Sequence, residues 1–368
     1  MSERTDAIWM RRALTLARQG EGAVSPNPMV GAVVVRNGRC VGEGYHRIYG
    51  AAHAEAAALE AAGRRSRRAT LYTNLEPCAH SGKTPPCTEA IRAAGIRRVV
   101  GAMLDPHPRV RGRGFRSLRQ GGIHVSTGVL AREAELLNRT FLRSLETGRP
   151  YVILKAGMSL DGRIAGSSGQ SRWITSARAR RRAHRLRASV DAVLVGVTTA
   201  RRDDPLLTAR PGKRSLSGQP LRIVMDSHYR LSPRARLFKV PRGGPVLVYG
   251  AYRNARMRRL LEEAGADVRT LPRRRGRLDL GMLLDDLGSQ GVGSILVEGG
   301  GEVAWSFLRR GYADRIAWFV APCLLGGGAV PVLGGPGVTG PQQAIRIHDL
   351  VVSKMGDELL IQGTPALP

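Results

Sequence analysis

The chain has 368 residues, 42 % of them hydrophobic, with 46 glycines and a formal net charge of +29, a length suited to two cores rather than one. Its opening, Met1-Ser2-Glu3-Arg4-Thr5-Asp6, lacks the apolar core of a secretory signal, and no apolar run reaches the roughly 18 residues of a membrane span. The expectation is a soluble, cytoplasmic protein with no membrane partner.

Elements follow from periodicity and breakers. A helix is expected over Asp6 to Gln19, stopped by Gly20, then strands Val30 to Val35 and Cys40 to Gly44 around the hairpin signal Asn37-Gly38. Helix His53 to Ala62, strand Ala69 to Thr73, helix Cys87 to Ala94 and strand Arg98 to Met103 come next. A short helix near Phe115, strand Ile123 to Ser126 and helix Ala131 to Glu146 complete the first run. Strands alternating with helices imply an α/β fold, a sheet with helices on its faces. Thr147-Gly148-Arg149-Pro150 breaks the pattern, dividing the chain into domains at 1–147 and 150–368. In the second, strands are expected at Tyr151 to Ala156, Asp191 to Val195, Arg222 to Met225, Val246 to Tyr249, Val268 to Leu271, Ser294 to Val297 and Arg315 to Val320. The stretch Arg210 to Pro220 reads as a surface loop.

The charge is carried by arginine, 53 residues against 5 lysines, with clusters at 64–68, 178–187 and 273–277. Aromatic residues make up only 5 % and do not interleave with these clusters, so base-stacking platforms are absent and no nucleic-acid partner is expected. An anionic small substrate suits the same charge.

The chemistry starts at His53-Ala54-Glu55, which opens a helix, and at Pro77-Cys78 and Cys87. H-x-E followed by Pro-Cys and a second cysteine is the signature of zinc-dependent deaminases. One imidazole and two thiolates supply three corners of a tetrahedron and leave the fourth open, as catalytic zinc requires. Glu55, two residues after a ligand, is the expected proton carrier. Eight residues separate the cysteines where the signature has two, and they include His80, a candidate fourth ligand that would close the site. Cys40 and Cys323 read as small buried hydrophobes. His46 reads equally as a substrate contact or as strand packing.

The enlarged segment Leu75-Glu76-Pro77-Cys78-Ala79-His80-Ser81-Gly82-Lys83-Thr84-Pro85-Pro86-Cys87 closely resembles the deaminase half of the bifunctional riboflavin-biosynthesis deaminase/reductases. So do Pro26-Asn27-Pro28-Met29-Val30-Gly31 and Gly50-Ala51-Ala52-His53-Ala54-Glu55. The resemblance continues through Lys155 to Gly162, Ser171 to Thr175, Asp203 to Thr208 and Val297 to Gly301, in the family's order. It implies a cytidine-deaminase-like domain that removes the 2-amino group of a diaminopyrimidinone carrying a ribosylamino 5′-phosphate. It also implies a dihydrofolate-reductase-like domain that uses NADPH to reduce the ribosyl group to a ribityl chain. One departure is His107, where the family usually has asparagine.

In the second domain, an apolar strand runs into Glu298-Gly299-Gly300-Gly301 and a helix, a turn that presents backbone N–H groups to a phosphate. By resemblance, Gly157, Trp173, Thr199, Asp203, Ser227 and the segment Gly300, Gly301, Glu302 to Ser306 line the cofactor site. Ser171, Arg187, Leu207, Arg210 and Glu298 hold the substrate. Guanidinium forks at Arg187 and Arg210 suit a phosphate. Lys155 and Asp203 are candidate proton donors for the reduction. Rival readings are a nucleic-acid-editing deaminase with a basic binding domain, a second domain that binds nucleotide without catalysis, and a structural zinc protein, which leaves Glu55 without a role. Association into a homo-oligomer is left open.

Overall fold

Asn37 and Gly38 both have positive φ (51° and 73°), which lets a two-residue turn join β1 (Gly31–Arg36) to β2 (Arg39–Tyr45). The structure is a computed structural model describing residues 3–80, 85–210, 218–251, 254–274 and 276–368. The chain divides into two units, Met1–Thr147 and Gly148–Pro368.

The first unit continues with β3 (Thr70–Leu75), β4 (Arg98–Met103) and β5 (His124–Thr127), giving the sheet order β2-β1-β3-β4-β5. β1 is antiparallel to both neighbours, and β3, β4 and β5 are parallel. Its helices are α1 (Glu3–Ala17), α2 (Ala54–Ala62), α3 (Cys87–Ala93), α4 (Arg113–Gln120) and α5 (Ala131–Thr147). Period-two alternation sorts the strand residues. Ala32, Val34, Leu71 and Val99 pack with α2, α3 and α4 on one face, and Val33, Val35, Tyr72 and Val100 pack with α1 and α5 on the other. Gly44 lets α2 lie against β2: a Cβ there would sit 2.5 Å from the Ala54 carbonyl oxygen, in the first turn of the helix that carries Glu55. Asp6 on α1 clasps the sheet, accepting two bonds from Arg98 (2.9 and 2.7 Å) and one from the Tyr72 hydroxyl (2.8 Å).

In the second unit the chain forms β6 (Tyr151–Ser159), β7 (Arg163–Ala165), α6 (Ala177–Arg187), β8 (Ala192–Gly196), α7 (Val197–Asp203), β9 (Leu221–Met225) and β10 (Val246–Gly250). Then come α8 (Ala255–Glu263), β11 (Ala266–Thr270), the short pair β12 (Arg273–Arg274) and β13 (Arg277–Leu278), α9 (Leu280–Ser289), β14 (Ser294–Glu298) and α10 (Gly301–Leu308). β15 (Arg315–Ala321), β16 (Val330–Pro331), β17 (Arg346–Met355) and β18 (Glu358–Ala366) end the chain. The main sheet has the order β11-β10-β9-β8-β14-β6-β15-β18-β17, parallel from β11 to β15 and antiparallel thereafter. Its two apolar faces are buried under α9 and α10 on one side and chiefly under α8 and the 229–237 segment on the other.

Every strand expected in the second domain is present. β7, the short pair β12–β13, β16 and the terminal hairpin β17–β18 lie outside the expected strands. β17 is exposed along nearly its whole length, so it lacks the alternation that marks a half-buried strand. Cys40 and Cys323 depart from expectation too: Cys40 is exposed, on the edge strand β2, and Cys323 is partly exposed.

Among the described residues, no helix is long and apolar enough to cross a membrane.

Candidate active sites

His53 is the N-cap of α2, in extended conformation, and Cys87 is the first residue of α3, behind Pro86. Cys78 follows β3 in a loop. These three elements bring His53 Nδ1 to 3.2 Å from Cys87 Sγ and 3.6 Å from Cys78 Sγ, while the Cys87 backbone N–H points at Cys78 Sγ (3.4 Å). Nitrogen and sulfur ligands of one tetrahedral zinc lie roughly 3.6 Å apart, given bond lengths of about 2.0 and 2.3 Å. The donor set and its spacing therefore fit zinc, bound through Nδ1 of the histidine. Among the described residues, His53, Cys78 and Cys87 are the one group of three or more His, Cys, Asp or Glu side chains able to hold a metal ion. His80 is exposed and stands outside that group.

Glu55 is 3 % exposed, and its Oε2 lies 3.6 Å from Cys87 Sγ. Burial pushes its carboxyl pKa up, against the pull of His53. The neighbouring Cys87 and His53 side chains hold Cys78 down to about 4, while Cys78 and burial push Cys87 up. The bond to Cys78 also raises His53.

A cavity of about 310 Å³ opens over these groups. Asn27, His46, Tyr49, His80, Asp105, His107 and Phe141 contribute to its wall. His46 thus faces the site, yet its polar atoms are engaged: Nδ1 is 3.2 Å from the Ala52 carbonyl oxygen and Nε2 is 3.3 Å from Asn27 Nδ2. Its ring meets that of His53 edge-on at 5.7 Å, and burial lowers its pKa. Asn27 is delivered by a segment pinned at Met29, whose N–H and carbonyl are both held by the buried Asn138 (2.8 and 3.0 Å). Asp105 is buried, and burial raises its carboxyl. Sequence reasoning passed over Asn27, Asp105 and Phe141 as wall residues. Asp105, two residues past an apolar parallel strand, carries the signal that could have found it.

In the second unit, β8 feeds β9 on one side while its neighbour β14 feeds β15 on the other. Such a reversal leaves a crevice at the carboxyl ends of the two strands. The N-termini of α7 and α10 both open there. The Gly300 N–H donates to Thr199 Oγ1 (3.2 Å), and neither helix has a side-chain cap, an arrangement suited to receive an anion. A Cβ on Gly301 would lie 2.5 Å from the Gly334 nitrogen, so α10 starts flush against the 331–334 segment. Glu302 is turned outward to Arg277 (2.9 Å).

Glu298, at the end of β14, receives a two-pronged bond from Arg187 at 2.8 and 2.7 Å, and Lys155 Nζ stands 3.9 Å away. Burial pushes the Glu298 carboxyl up, but Arg187 and then Lys155 outweigh it and hold it at about 2. A third Arg187 nitrogen donates to the Thr208 carbonyl (3.0 Å), so most of this guanidinium serves the protein rather than a free phosphate. Arg210 is exposed. Leu207 buries its side chain in the core at positive φ (55°) and offers a ligand only its backbone. Trp173 is 72 % exposed and lies under the Arg180 guanidinium at 4.1 Å. Gly157 faces Thr175 at 3.2 Å from a would-be Cβ. Ser171 is half-buried at the start of the Trp173 segment, Asp203 ends α7, and the Ser227 carbonyl, past β9, accepts from Ala251.

Residues 3–103 match the cytidine and deoxycytidylate deaminase zinc-binding region, and residues 150–361 match the RibD C-terminal domain. Riboflavin biosynthesis protein RibD of Escherichia coli is 44 % identical over 90 % of this chain and 92 % of its own. That of Aquifex aeolicus is 40 % identical over 98 % and 99 %. Among solved structures, Acinetobacter baumannii RibD superposes with a TM-score of 0.89 at 36 % identity, covering 99 % of this chain and 100 % of its own. The Thermotoga maritima diaminohydroxyphosphoribosylaminopyrimidine deaminase/5-amino-6-(5-phosphoribosylamino)uracil reductase does so at 0.85 and 35 %, covering 99 % of both. The first unit is therefore a cytidine-deaminase-like zinc domain and the second a dihydrofolate-reductase-like domain with a nicotinamide cofactor. The chain belongs to the RibD family, the bifunctional deaminase/reductases of riboflavin biosynthesis.

Proposed function

We propose that the first unit deaminates 2,5-diamino-6-ribosylamino-4(3H)-pyrimidinone 5′-phosphate and that the second, using NADPH, reduces the ribosyl group of the product to a ribityl chain. The observation that carries the first step is Glu55, a buried carboxylate beside the His53–Cys78–Cys87 group on a cavity of about 310 Å³. Zinc held by those three residues supplies Lewis acidity, which brings the pKa of water to about 7. Glu55 takes the proton of the attacking water, delivers it to the pyrimidine ring nitrogen and assists the departing ammonia. Its enclosure raises its pKa above the ordinary carboxylate range, the direction that favours returning a proton as well as accepting one.

NADPH supplies the reducing equivalent for the second step, and the residues around it bind and orient. The paired N-termini of α7 and α10 take cofactor phosphate. Arg210, with its guanidinium exposed, takes the substrate 5′-phosphate, and Arg187 fixes Glu298 beside it. Lys155, whose Nζ lies 3.9 Å from Glu298, gives the proton, and Asp203 serves as a cofactor contact.

Two variants test the deaminase assignment. Cys87→Ser should lose its zinc by metal analysis, since two ligands hold it poorly; full occupancy would remove Cys87 from the ligand set. Glu55→Gln should keep zinc and lose ammonia release by about 100-fold or more. Near-normal release from that variant would take the proton transfer away from Glu55.

A further inference from the structure

Glu76 follows β3 and lies two residues before the ligand Cys78, but it is not one of the three grouped metal ligands. Its side chain is 3 % exposed, and its oxygens meet four backbone N–H groups. Oε1 accepts from Gly114 (2.8 Å) and Phe115 (3.2 Å); Oε2 accepts from Gly112 (2.9 Å) and Asp105 (3.2 Å). Three of these donors belong to the start of α4, whose N-cap Gly112 has no side-chain cap of its own. Glu76 supplies that cap from another part of the chain, with its charge at the favourable end of the helix dipole. The fit is close: a Cβ on Gly114 would sit 1.9 Å from the Pro77 carbonyl oxygen. The fourth donor, Asp105, opens the segment that carries His107, and both residues line the cavity.

We propose that Glu76 is a positioning residue for deamination, one carboxylate that fixes the metal loop at Cys78 and the cavity wall at 105–115 against each other. The proposal rests on the zinc reading of His53, Cys78 and Cys87. Chemistry requires the carboxylate. An ionised acid accepts on both oxygens, whereas an amide of the same shape turns an NH₂ group towards two of the four donors. Buried donors left facing a donor must move away, and the segments they belong to move with them.

The test uses the full-length chain as wild type, Glu76→Gln and Gly114→Ala, with Cys87→Ser as control. Gly114→Ala keeps every N–H but places a methyl group against Pro77, so it loosens the same junction from the other side. Zinc transfer to a chelator is followed alongside ammonia-release kinetics in saturating zinc. Reduction of the deaminated substrate provides an internal control. Both variants should release zinc about 10–100-fold faster and show a KM for deamination raised by about tenfold, with reduction unchanged. A mere loss of folded protein would lower apparent kcat in proportion and leave KM alone. That result, or wild-type zinc release in Glu76→Gln, overturns the proposal. Zinc retained by Cys87→Ser would instead overturn the ligand assignment beneath it.

Discussion

On α6, His184 lies one turn before Arg187, and its Nδ1 atom is buried without a hydrogen-bond partner. Burial first, then the charges of Arg187 and Arg210, hold its pKa down to about 4. Unfolded, it titrates near 6.5. The unfolded chain therefore binds more protons between these values, so the contribution of His184 is complete above about pH 6.5 and lost as pH falls towards 4. Glu298, held at about 2, adds a loss only at lower pH, below its ordinary value near 4.5. His184→Gln removes the first transition. Between pH 7.5 and 5 the unfolding free energy from urea titration should fall more for the wild type than for the variant, by about 1 kcal/mol once solvent screening of this half-buried ring is allowed for. Tryptophan fluorescence can follow it, because Trp173, Trp305 and Trp318 lie in the second unit and only Trp9 in the first. Parallel pH curves would mean that His184 does not titrate between the two states. At this scale the sequence was legible where chemistry fixes residue type and spacing, as at His53, Glu55, Cys78 and Cys87. It was silent on Glu76 and Asn138, whose partners are backbone groups brought near only by the fold.

Elements were legible in proportion to their burial pattern. β1, β3, β8 and β10 bury nearly all their residues and stand out as apolar runs, whereas β17 buries almost nothing and offers no period to read. The start of α10 shows how an element serves a site. Gly299, Gly300 and Gly301 are legible as a phosphate turn, but nothing in the residue pattern marks Gly301 as abutting the 331–334 segment. A methyl group at 301 would meet backbone atoms at 2.5 and 2.7 Å, the Gly334 nitrogen and the Pro331 oxygen, so helix or segment must shift. Gly301→Ala should therefore cost about 1–3 kcal/mol of stability in the second unit. It should also weaken NADPH binding, measured by nicotinamide fluorescence, by tenfold or more. Ammonia release should be unaffected. Unaltered NADPH affinity would mean that the mouth of α10 is not where the cofactor phosphate binds.

Across the whole molecule, the charge of +29 is spread over arginines that do two different jobs. Arg98 and Arg187 are built into carboxylate pairs, while Arg178, Arg181, Arg182 and Arg185 form an exposed stripe along one face of α6. The balance of partly buried pairs and solvated faces explains why composition alone did not point to a partner. The two units each close their own apolar cores, which makes a separation of activities testable on one protein sample. Cys78→Ser removes a proposed metal ligand of the first unit and leaves every residue of the second unchanged. Given the diamino substrate, it should release no ammonia and oxidise no NADPH, because the reductase receives its substrate from the deaminase. Given the already deaminated substrate, it should oxidise NADPH at close to the wild-type rate. Loss of oxidation with both substrates would mean that the second unit depends on an intact first unit. Oxidation retained with the diamino substrate would mean that reduction does not need prior deamination, and the proposed order of the two steps would then be wrong.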